Sequence, residues 1–167
     1  MIEVELVGVR VELPANQPIV LLKEKTGTRY LPIWIGAVEA TAIAFALQGV
    51  ETPRPLTHDL IVDVLTDLGI RLDAVHVTEL RDGTFYAELR LVQNGRTFTV
   101  SSRPSDAIAI ASRLEDVPIF AAEDVMDEAG LEIEATDEGS EVEAEEQVRQ
   151  FRAFLEDVTP EDFKEET

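Results

Sequence analysis

The chain has 167 residues, 34 acidic side chains, 14 Lys or Arg, a formal net charge of −20 and no cysteine. This length suits one domain with a substantial core, and the lack of cysteine excludes a disulfide scaffold and zinc held by thiolates. The negative charge argues against constitutive tight binding to nucleic acid, because a polyanion would be repelled.

The acidic excess is concentrated in the C-terminal part of the chain. Residues 1–121 hold 16 acids and 11 Lys or Arg, a net charge of −5, whereas residues 122–167 hold 18 acids and 3 bases, a net charge of −15. The first part can therefore present a local basic surface. The N-terminus lacks the pattern of a signal peptide, and the longest apolar stretch, residues 31–50, contains a proline, two glycines and a glutamate. We therefore expect a cytoplasmic protein without a membrane span.

The first 35 residues predict antiparallel β-strands. Ile2, Val4 and Leu6 alternate with polar residues, and the alternation resumes in the opposite phase after Gly8, which predicts a bulge. Two further apolar stretches flank the turn sequence Thr26-Gly27-Thr28. These stretches predict a hairpin.

A helix that is apolar almost all round is predicted over residues 37–48, with Gly49 at its C-terminal end. Such a helix is buried between layers or between subunits, so it favours a homo-oligomer. Glu39 is its one ionisable residue, and a carboxylate in apolar surroundings needs a partner. The candidate partners are Arg29, Arg54 and Arg103. Glu39 is then either one half of a structural ion pair or part of a functional site.

The next helix is predicted to begin with Thr57 as its N-cap and to end before Gly69. The apolar residues expected to face inward are Leu60, Ile61, Val64, Leu65 and Leu68. The acids of the outer face recur every four residues and form either a solvated surface or a divalent-cation site. They are Asp59, Asp63 and Asp67. His58, beside Asp59 in the first turn, is a candidate for acid–base chemistry.

Three antiparallel strands are predicted between residues 70 and 101, joined by tight turns at Asp82-Gly83 and Asn94-Gly95. A helix that starts near Arg103-Pro104 follows. The short strand at residues 117–121 is expected at an edge of the sheet, because Pro118 has no N–H to donate. A short helix over residues 123–129 ends at Gly130.

Two helix starts share a pattern in which Arg-Pro precedes a hydroxyl residue and an acid. The first runs from Arg54 to Asp59 and the second from Arg103 to Asp106. Proline suits the first turn of a helix, where its missing N–H has no intrahelical partner, and Ser, Thr and Asp accept hydrogen bonds from the free N–H groups. Each Arg/Asp pair is therefore either a cap with a local ion pair or part of a functional site.

The C-terminal part predicts an appendage to one domain that spans residues 1–131. Residues 132–146 hold eight acids and little apolar content, which is typical of a flexible linker. Over residues 147–167, apolar side chains recur at helical spacing, which predicts an amphipathic helix that docks on its own domain, a sister subunit or another protein. The predicted fold class is α+β, with a mainly antiparallel twisted sheet packed with two to three helices and followed by this linker and helix.

Several sequence blocks, taken together and in order, resemble the bifunctional nuclease family of small bacterial and plant proteins. The blocks are Leu31–Gly36 with Glu39-Ala40, Arg54-Pro55 with Thr57–Leu60, Phe85-Tyr86-Ala87, and Arg103–Ala109. The resemblance covers residues 1–130. It implies a compact α+β fold, a tendency to form homo-oligomers, and the DNase and RNase activity for which the family is named.

Hydrolysis of a phosphodiester bond needs an oriented water, stabilisation of charge on the phosphoryl oxygens, and help for the leaving oxygen. We assign Arg54 and Arg103 as phosphate clamps and His58 as the general acid or base. The carboxylates that orient water or bind metal are Glu39, Asp59 and Asp106. If a divalent cation such as Mg²⁺ or Mn²⁺ takes part, its candidate ligands are Glu39, Asp59 and Asp63. No organic cofactor is expected.

Two functions remain open from the sequence. The first is a nuclease that cleaves RNA or DNA with weak sequence selectivity, assisted by a divalent metal, and that binds nucleic acid weakly and in a salt-sensitive way. The second is a non-catalytic oligomeric module that binds a regulatory protein or a small anion.

Overall fold

A single mixed sheet is the frame of the computed structural model, which describes residues 1–12 and 16–133. The elements of this described part are eight strands and four helices. In chain order they are β1 (Ile2–Glu12), β2 (Gln17–Glu24), β3 (Arg29–Trp34), α1 (Ala37–Gln48), α2 (Thr57–Asp67), β4 (Arg71–Arg81), β5 (Thr84–Gln93), β6 (Arg96–Ser102), α3 (Pro104–Ala111), β7 (Ile119–Ala121), α4 (Glu123–Ala129) and β8 (Leu131–Glu132).

The strand order across the sheet is β6-β5-β4-β7-β1-β2-β3-β8. Every neighbouring pair is antiparallel except β4 and β7, so the α+β class with a mainly antiparallel sheet is confirmed. The hairpin turns at Asp82-Gly83 and Asn94-Gly95 have positive φ at both residues, as tight two-residue turns require. The predicted bulge in β1 is present as a register shift between Leu6 and Gly8.

The prediction for β7 was wrong. This strand lies in the middle of the sheet, between β4 and β1, and not at an edge. Pro118 comes just before the strand, where its missing N–H leaves no gap in the ladder, and its carbonyl accepts a hydrogen bond from the Val75 N–H at 3.0 Å.

Helices α1 and α3 pack against each other and against the sheet. Residues 40–44 of α1 and residues 107–111 of α3 are buried, and most of them are alanines, which let helix backbones approach closely. α1 ends at Gly49 with φ of 63°, as predicted from the glycine. The apolar character of residues 40–44 is therefore explained by the protein's own core, whereas Val38 and Leu47 of the same helix are 76% and 50% exposed.

The prediction of the inward face of α2 was partly wrong. Leu60, Val64 and Leu68 are 54%, 48% and 59% exposed, whereas Ile61 and Leu65 pack against the core. α2 lies on α3 and β4 through that second face. Periodicity shows that a helix has apolar positions, but the neighbouring elements decide which of them are covered.

The predicted acidic linker covers residues 132–146, but its first residue, Glu132, ends β8 and pairs with Arg29. From residue 134 onward the predicted linker and the predicted C-terminal helix lie outside the described residues, and they stay predictions. No helix of the described part is long and apolar enough to cross a membrane.

Candidate active site

The first turns of α1, α2 and α3 lie together, and each carries an acid at its third residue. These acids are Glu39, Asp59 and Asp106. A carboxylate is stabilised there by the partial positive charge of the helix N-terminus. The predicted Thr57 cap was wrong by one residue, because Leu56 is the N-cap of α2 and donates its backbone N–H to Asp59 Oδ2 at 2.9 Å.

Arg103 joins two of these acids. Its Nε donates to Asp106 Oδ2 at 2.8 Å, and its Nη2 donates to Glu39 Oε1 at 2.9 Å. The Arg103 side chain is 65% exposed, whereas those of Glu39 and Asp106 are 15% and 28% exposed. A guanidinium has five N–H donors, and within the described residues these two bonds are its hydrogen bonds. The exposed edge of Arg103 therefore keeps donors for an anion.

His58 lies behind Asp106. Its Nε2 is 2.9 Å from Asp106 Oδ1, and its side chain is 8% exposed. We name the four connected residues Glu39, Arg103, Asp106 and His58 the Arg103 network. Because the His58 side chain is almost fully buried against Asp106, we treat it as a residue that positions Asp106.

Asp59 belongs to a neighbouring ion pair. Arg113 Nε donates to Asp59 Oδ1 at 2.6 Å, and Arg113 Nη1 donates to the Ala109 carbonyl at 2.7 Å. The Arg113 side chain is 9% exposed. This pair ties the start of α2 to the end of α3, and sequence reasoning did not identify Arg113 as the partner of Asp59.

Arg54 and Asp63 lie outside these contacts. Both are exposed, and within residues 1–12 and 16–133 neither side chain forms a hydrogen bond or an ion pair. The structure therefore brings together Glu39, His58, Arg103 and Asp106, places Asp59 beside them, and leaves Arg54 and Asp63 apart.

The candidate metal ligands do not form a preformed cation site. Among the described residues there is no group of three or more His, Cys, Asp or Glu side chains arranged to hold a metal ion. Glu39 and Asp59 are engaged by different arginines, so a cation would have to compete with both ion pairs. We therefore assign no chemical step to a metal ion.

The ion pairs shift the pKa values of three groups. Partial burial acts to raise the pKa of Asp106, but hydrogen bonds from Arg103 and His58 outweigh it, so the net shift is downward. Burial likewise acts to raise the pKa of Asp59, and the bonds from Arg113 and the Leu56 N–H bring it below its ordinary value. The pKa of Arg103 is raised, mainly by its hydrogen bond to Asp106 and secondly by its hydrogen bond to Glu39. All three groups are therefore held in their charged forms.

A loss of stability in acid is the expected consequence at Asp106. The pKa of Asp106 is lower in the folded state than in the unfolded state, where it is about 4. The carboxylate of Asp106 therefore contributes its full free energy to folding above about pH 4, and this contribution is lost as the pH falls through the pKa of the folded state. We expect Asp106→Asn to lower the free energy of unfolding by about 1 to 2 kcal/mol at pH 7, and this difference to shrink below about pH 4. Urea unfolding of both proteins at pH 7 and pH 3 measures it. Asp63→Asn, at an exposed position, should show almost no difference at either pH, and an undiminished Asp106→Asn effect at pH 3 would contradict the ion-pair assignment.

A cleft of about 460 Å³ lies beside the Arg103 network. Its lining includes Trp34, Gly36, Phe85, Arg103 and Ser105. Trp34 is 53% exposed, although Leu31 and Ile33 of the same strand are buried. Sequence reasoning did not single out Trp34 as a functional residue. The strand period of two, which puts Trp34 on the opposite side from Ile33, could have done so.

Comparisons with known proteins point to one protein family. The profile described as the bifunctional nuclease domain matches residues 20–134. An uncharacterized protein of Mycobacterium tuberculosis strain H37Rv is 52% identical over 164 residues, which cover 97% of this chain and 98% of that protein. Bifunctional nuclease 1 of Oryza sativa subsp. japonica is 28% identical over 71% of this chain and 36% of the plant protein. Bifunctional nuclease 2 of Arabidopsis thaliana is 33% identical over 63% of this chain and 33% of the plant protein. The chain therefore spans about a third of the length of these plant relatives.

Proposed function

We propose that this chain, which belongs to the bifunctional nuclease domain family, hydrolyses phosphodiester bonds of RNA and DNA at the cleft beside Arg103. The family and the plant relatives support a nuclease-like role. The observation that carries the proposed site is the exposed guanidinium of Arg103, which two carboxylates hold in place at the cleft.

The role of Arg103 is to bind the scissile phosphate. Negative charge on the phosphoryl oxygens is stabilised best by donors that are already oriented, because no reorganisation is then needed. Asp106 and Glu39 fix the guanidinium plane, and His58 fixes Asp106. The remaining N–H groups of Arg103 can then donate to phosphate oxygens.

Glu39 is our candidate for orienting the attacking water. Its Oε1 accepts the bond from Arg103, whereas its Oε2 accepts no hydrogen bond from the described residues and lies against Gly36, which lines the cleft. A side chain at residue 36 would displace Oε2 from this position. In the proposed reaction the water oxygen forms a bond to phosphorus, the bond from phosphorus to the leaving oxygen breaks, Glu39 accepts a proton from the water, and solvent protonates the leaving oxygen.

A cleavage assay tests the proposed function. The purified protein is incubated with end-labelled single-stranded RNA and DNA, with and without EDTA, and with Mg²⁺ or Mn²⁺ restored. We expect cleavage that co-elutes with the protein and that is lost in Arg103→Ala. Cleavage of the same rate in the variant would indicate a contaminating nuclease. The divalent-metal requirement stays a prediction, which cleavage in EDTA would refute without affecting the role of Arg103.

The alternative function is a non-catalytic module that binds a partner or a small anion. Each charged residue of the Arg103 network already has a partner, as in a purely structural ion-pair network. Binding to nucleic acid should be weak, because the chain carries a net charge of −20. It should also be salt-sensitive, because it depends on contact between Arg103 and phosphate. Binding that is undetectable even at low salt would favour the module.

We also propose that the chain self-associates through the open edge of β6. Among the described strands β6 ends the sheet, and its apolar side chains Phe98 and Val100 are 47% and 45% exposed. Gln93 and Arg96 flank a two-residue turn and form the first pair of the ladder. From Arg96 along β6, every second residue forms backbone hydrogen bonds to β5, and the residues between them do not. The backbone groups of Thr97, Thr99 and Ser101 consequently point away from β5.

An antiparallel pairing of two β6 strands about Thr99 is self-complementary. It sets Phe98 opposite the partner's Val100 on one face and Thr99 opposite the partner's Thr99 on the other. Arg96 would face the partner's Ser102, so no like charges meet.

Thr99→Pro is expected to give a monomer, because it removes a backbone donor at the centre of the paired edge. Light scattering after size exclusion measures the mass. Thr99→Val keeps the donor and should keep the wild-type mass. A monomeric wild-type protein, or a Thr99→Pro protein of unchanged mass, would rule out this interface.

A further inference from the structure

Trp34 is an aromatic side chain that the fold leaves in solvent. Trp34 is the last residue of β3, and it is 53% exposed. Its sequence neighbours Leu31, Ile33 and Ile35 are 0%, 2% and 6% exposed. The exposed ring therefore belongs to the opposite side of an otherwise buried segment, and there it lines the cleft that also contains Arg103.

The cleft combines an aromatic ring with one cation. Of the described residues that line it, Arg103 alone is charged, and Phe85 adds a second aromatic ring that is half-buried. Gln17 holds the Trp34 end of the cleft in place, because its side-chain amide donates to the Ile35 carbonyl at 3.0 Å. The volume of about 460 Å³ lies within the range of small-ligand clefts.

We infer that this cleft binds single-stranded nucleic acid, with one unpaired base stacked on the indole of Trp34 and a neighbouring phosphate on Arg103. The inference rests on the proposed function, since it uses the same phosphate position. In a duplex both faces of a base are covered by its neighbours, whereas an unpaired base offers its face to an aromatic side chain. Stacking accepts every base, so it fits a substrate range that includes both RNA and DNA.

The fluorescence of Trp34 tests this directly, because it is the single tryptophan of the chain. The full-length protein is titrated at low salt with a phosphorothioate oligothymidylate, with the same strand as a duplex, and with an abasic strand of equal length. We expect quenching by the single strand and little change with the duplex or the abasic strand. Equal quenching by the abasic strand would overturn the stacking.

Variants separate stacking from fold and from catalysis. Trp34→Ala should weaken binding of a fluorescently labelled single strand by about 5- to 150-fold, the range for loss of one base stack. Trp34→Phe should recover most of the affinity. Leu60→Ala removes a side chain of nearly equal exposure, 54%, that does not line the cleft, and should bind like the wild type.

Parallel cleavage assays distinguish the two possible failures. Unchanged binding by Trp34→Ala, together with cleavage that still depends on Arg103, would overturn the inference and leave the proposed function intact. Quenching by the single strand without any cleavage would support the binding site and contradict the nuclease.

Discussion

Arg103→Ala is expected to lower kcat/KM for cleavage of single-stranded RNA by about 100- to 1,000-fold, the usual loss when one preoriented donor to the transition state is removed. The guanidinium of Arg103 is the exposed cation of the cleft, and Asp106 and Glu39 fix its plane. Arg103→Lys should recover little, because an ammonium cannot span both carboxylates and a phosphate with the same geometry. Initial rates with the three purified proteins give the comparison.

Arg71→Ala is the matched control for that experiment. Arg71 is 70% exposed and is paired with Asp73, much as Arg103 is paired with Asp106, but it does not line the cleft. Its removal should change the rate by less than about twofold, since exposed ion pairs contribute little. Circular dichroism must show that Arg103→Ala is folded. A similar loss in both variants, or none in Arg103→Ala, would contradict the assignment.

Arg113→Met is expected to lower the free energy of unfolding by about 2 to 3 kcal/mol. Removing one partner of a fully buried ion pair costs about 3 to 5 kcal/mol. The effect should be smaller here, because Asp59 is 35% exposed while Arg113 is 9% exposed. The substitution also leaves the Ala109 carbonyl without its bond from Arg113. Urea unfolding at pH 7 measures the loss.

A double-mutant cycle with Asp59→Asn isolates the pair, and we expect a coupling energy of about 1 to 2 kcal/mol. Lys25→Met is the control, because Lys25 and Glu3 form a pair whose side chains are 56% and 39% exposed. Its cost should stay below about 1 kcal/mol. If Arg113→Met costs no more than Lys25→Met, the Asp59–Arg113 pair does not hold α2 on α3.

Local chemistry made much of the fold predictable. The turns at Asp82-Gly83 and Asn94-Gly95 and the helix end at Gly49 are determined by backbone conformations that glycine, Asn and Asp adopt readily. The position of β7 and the covered face of α2 depend instead on which distant elements meet. Neither Pro118 nor the spacing of Leu60, Val64 and Leu68 contains that information.

The candidate site was predictable to a similar extent. Glu39, Asp106 and Arg103 were recognised because acids in the first turn of a helix and arginines beside it are local features. The two Arg-Pro sequences look alike, but Arg103 is itself the N-cap of α3, whereas Arg54 lies two residues before the N-cap Leu56 of α2. This offset places Arg54 away from the first-turn acids. The Arg113 partner and the exposure of Trp34 arise from tertiary packing.

The most direct measurement is a crystal structure of the protein with a single-stranded phosphorothioate oligonucleotide. We expect a phosphate oxygen about 3 Å from a terminal nitrogen of Arg103, with the bonds from Arg103 to Glu39 and Asp106 retained. An oligonucleotide bound on another surface, with Arg103 in contact only with its two carboxylates, would contradict the proposed site.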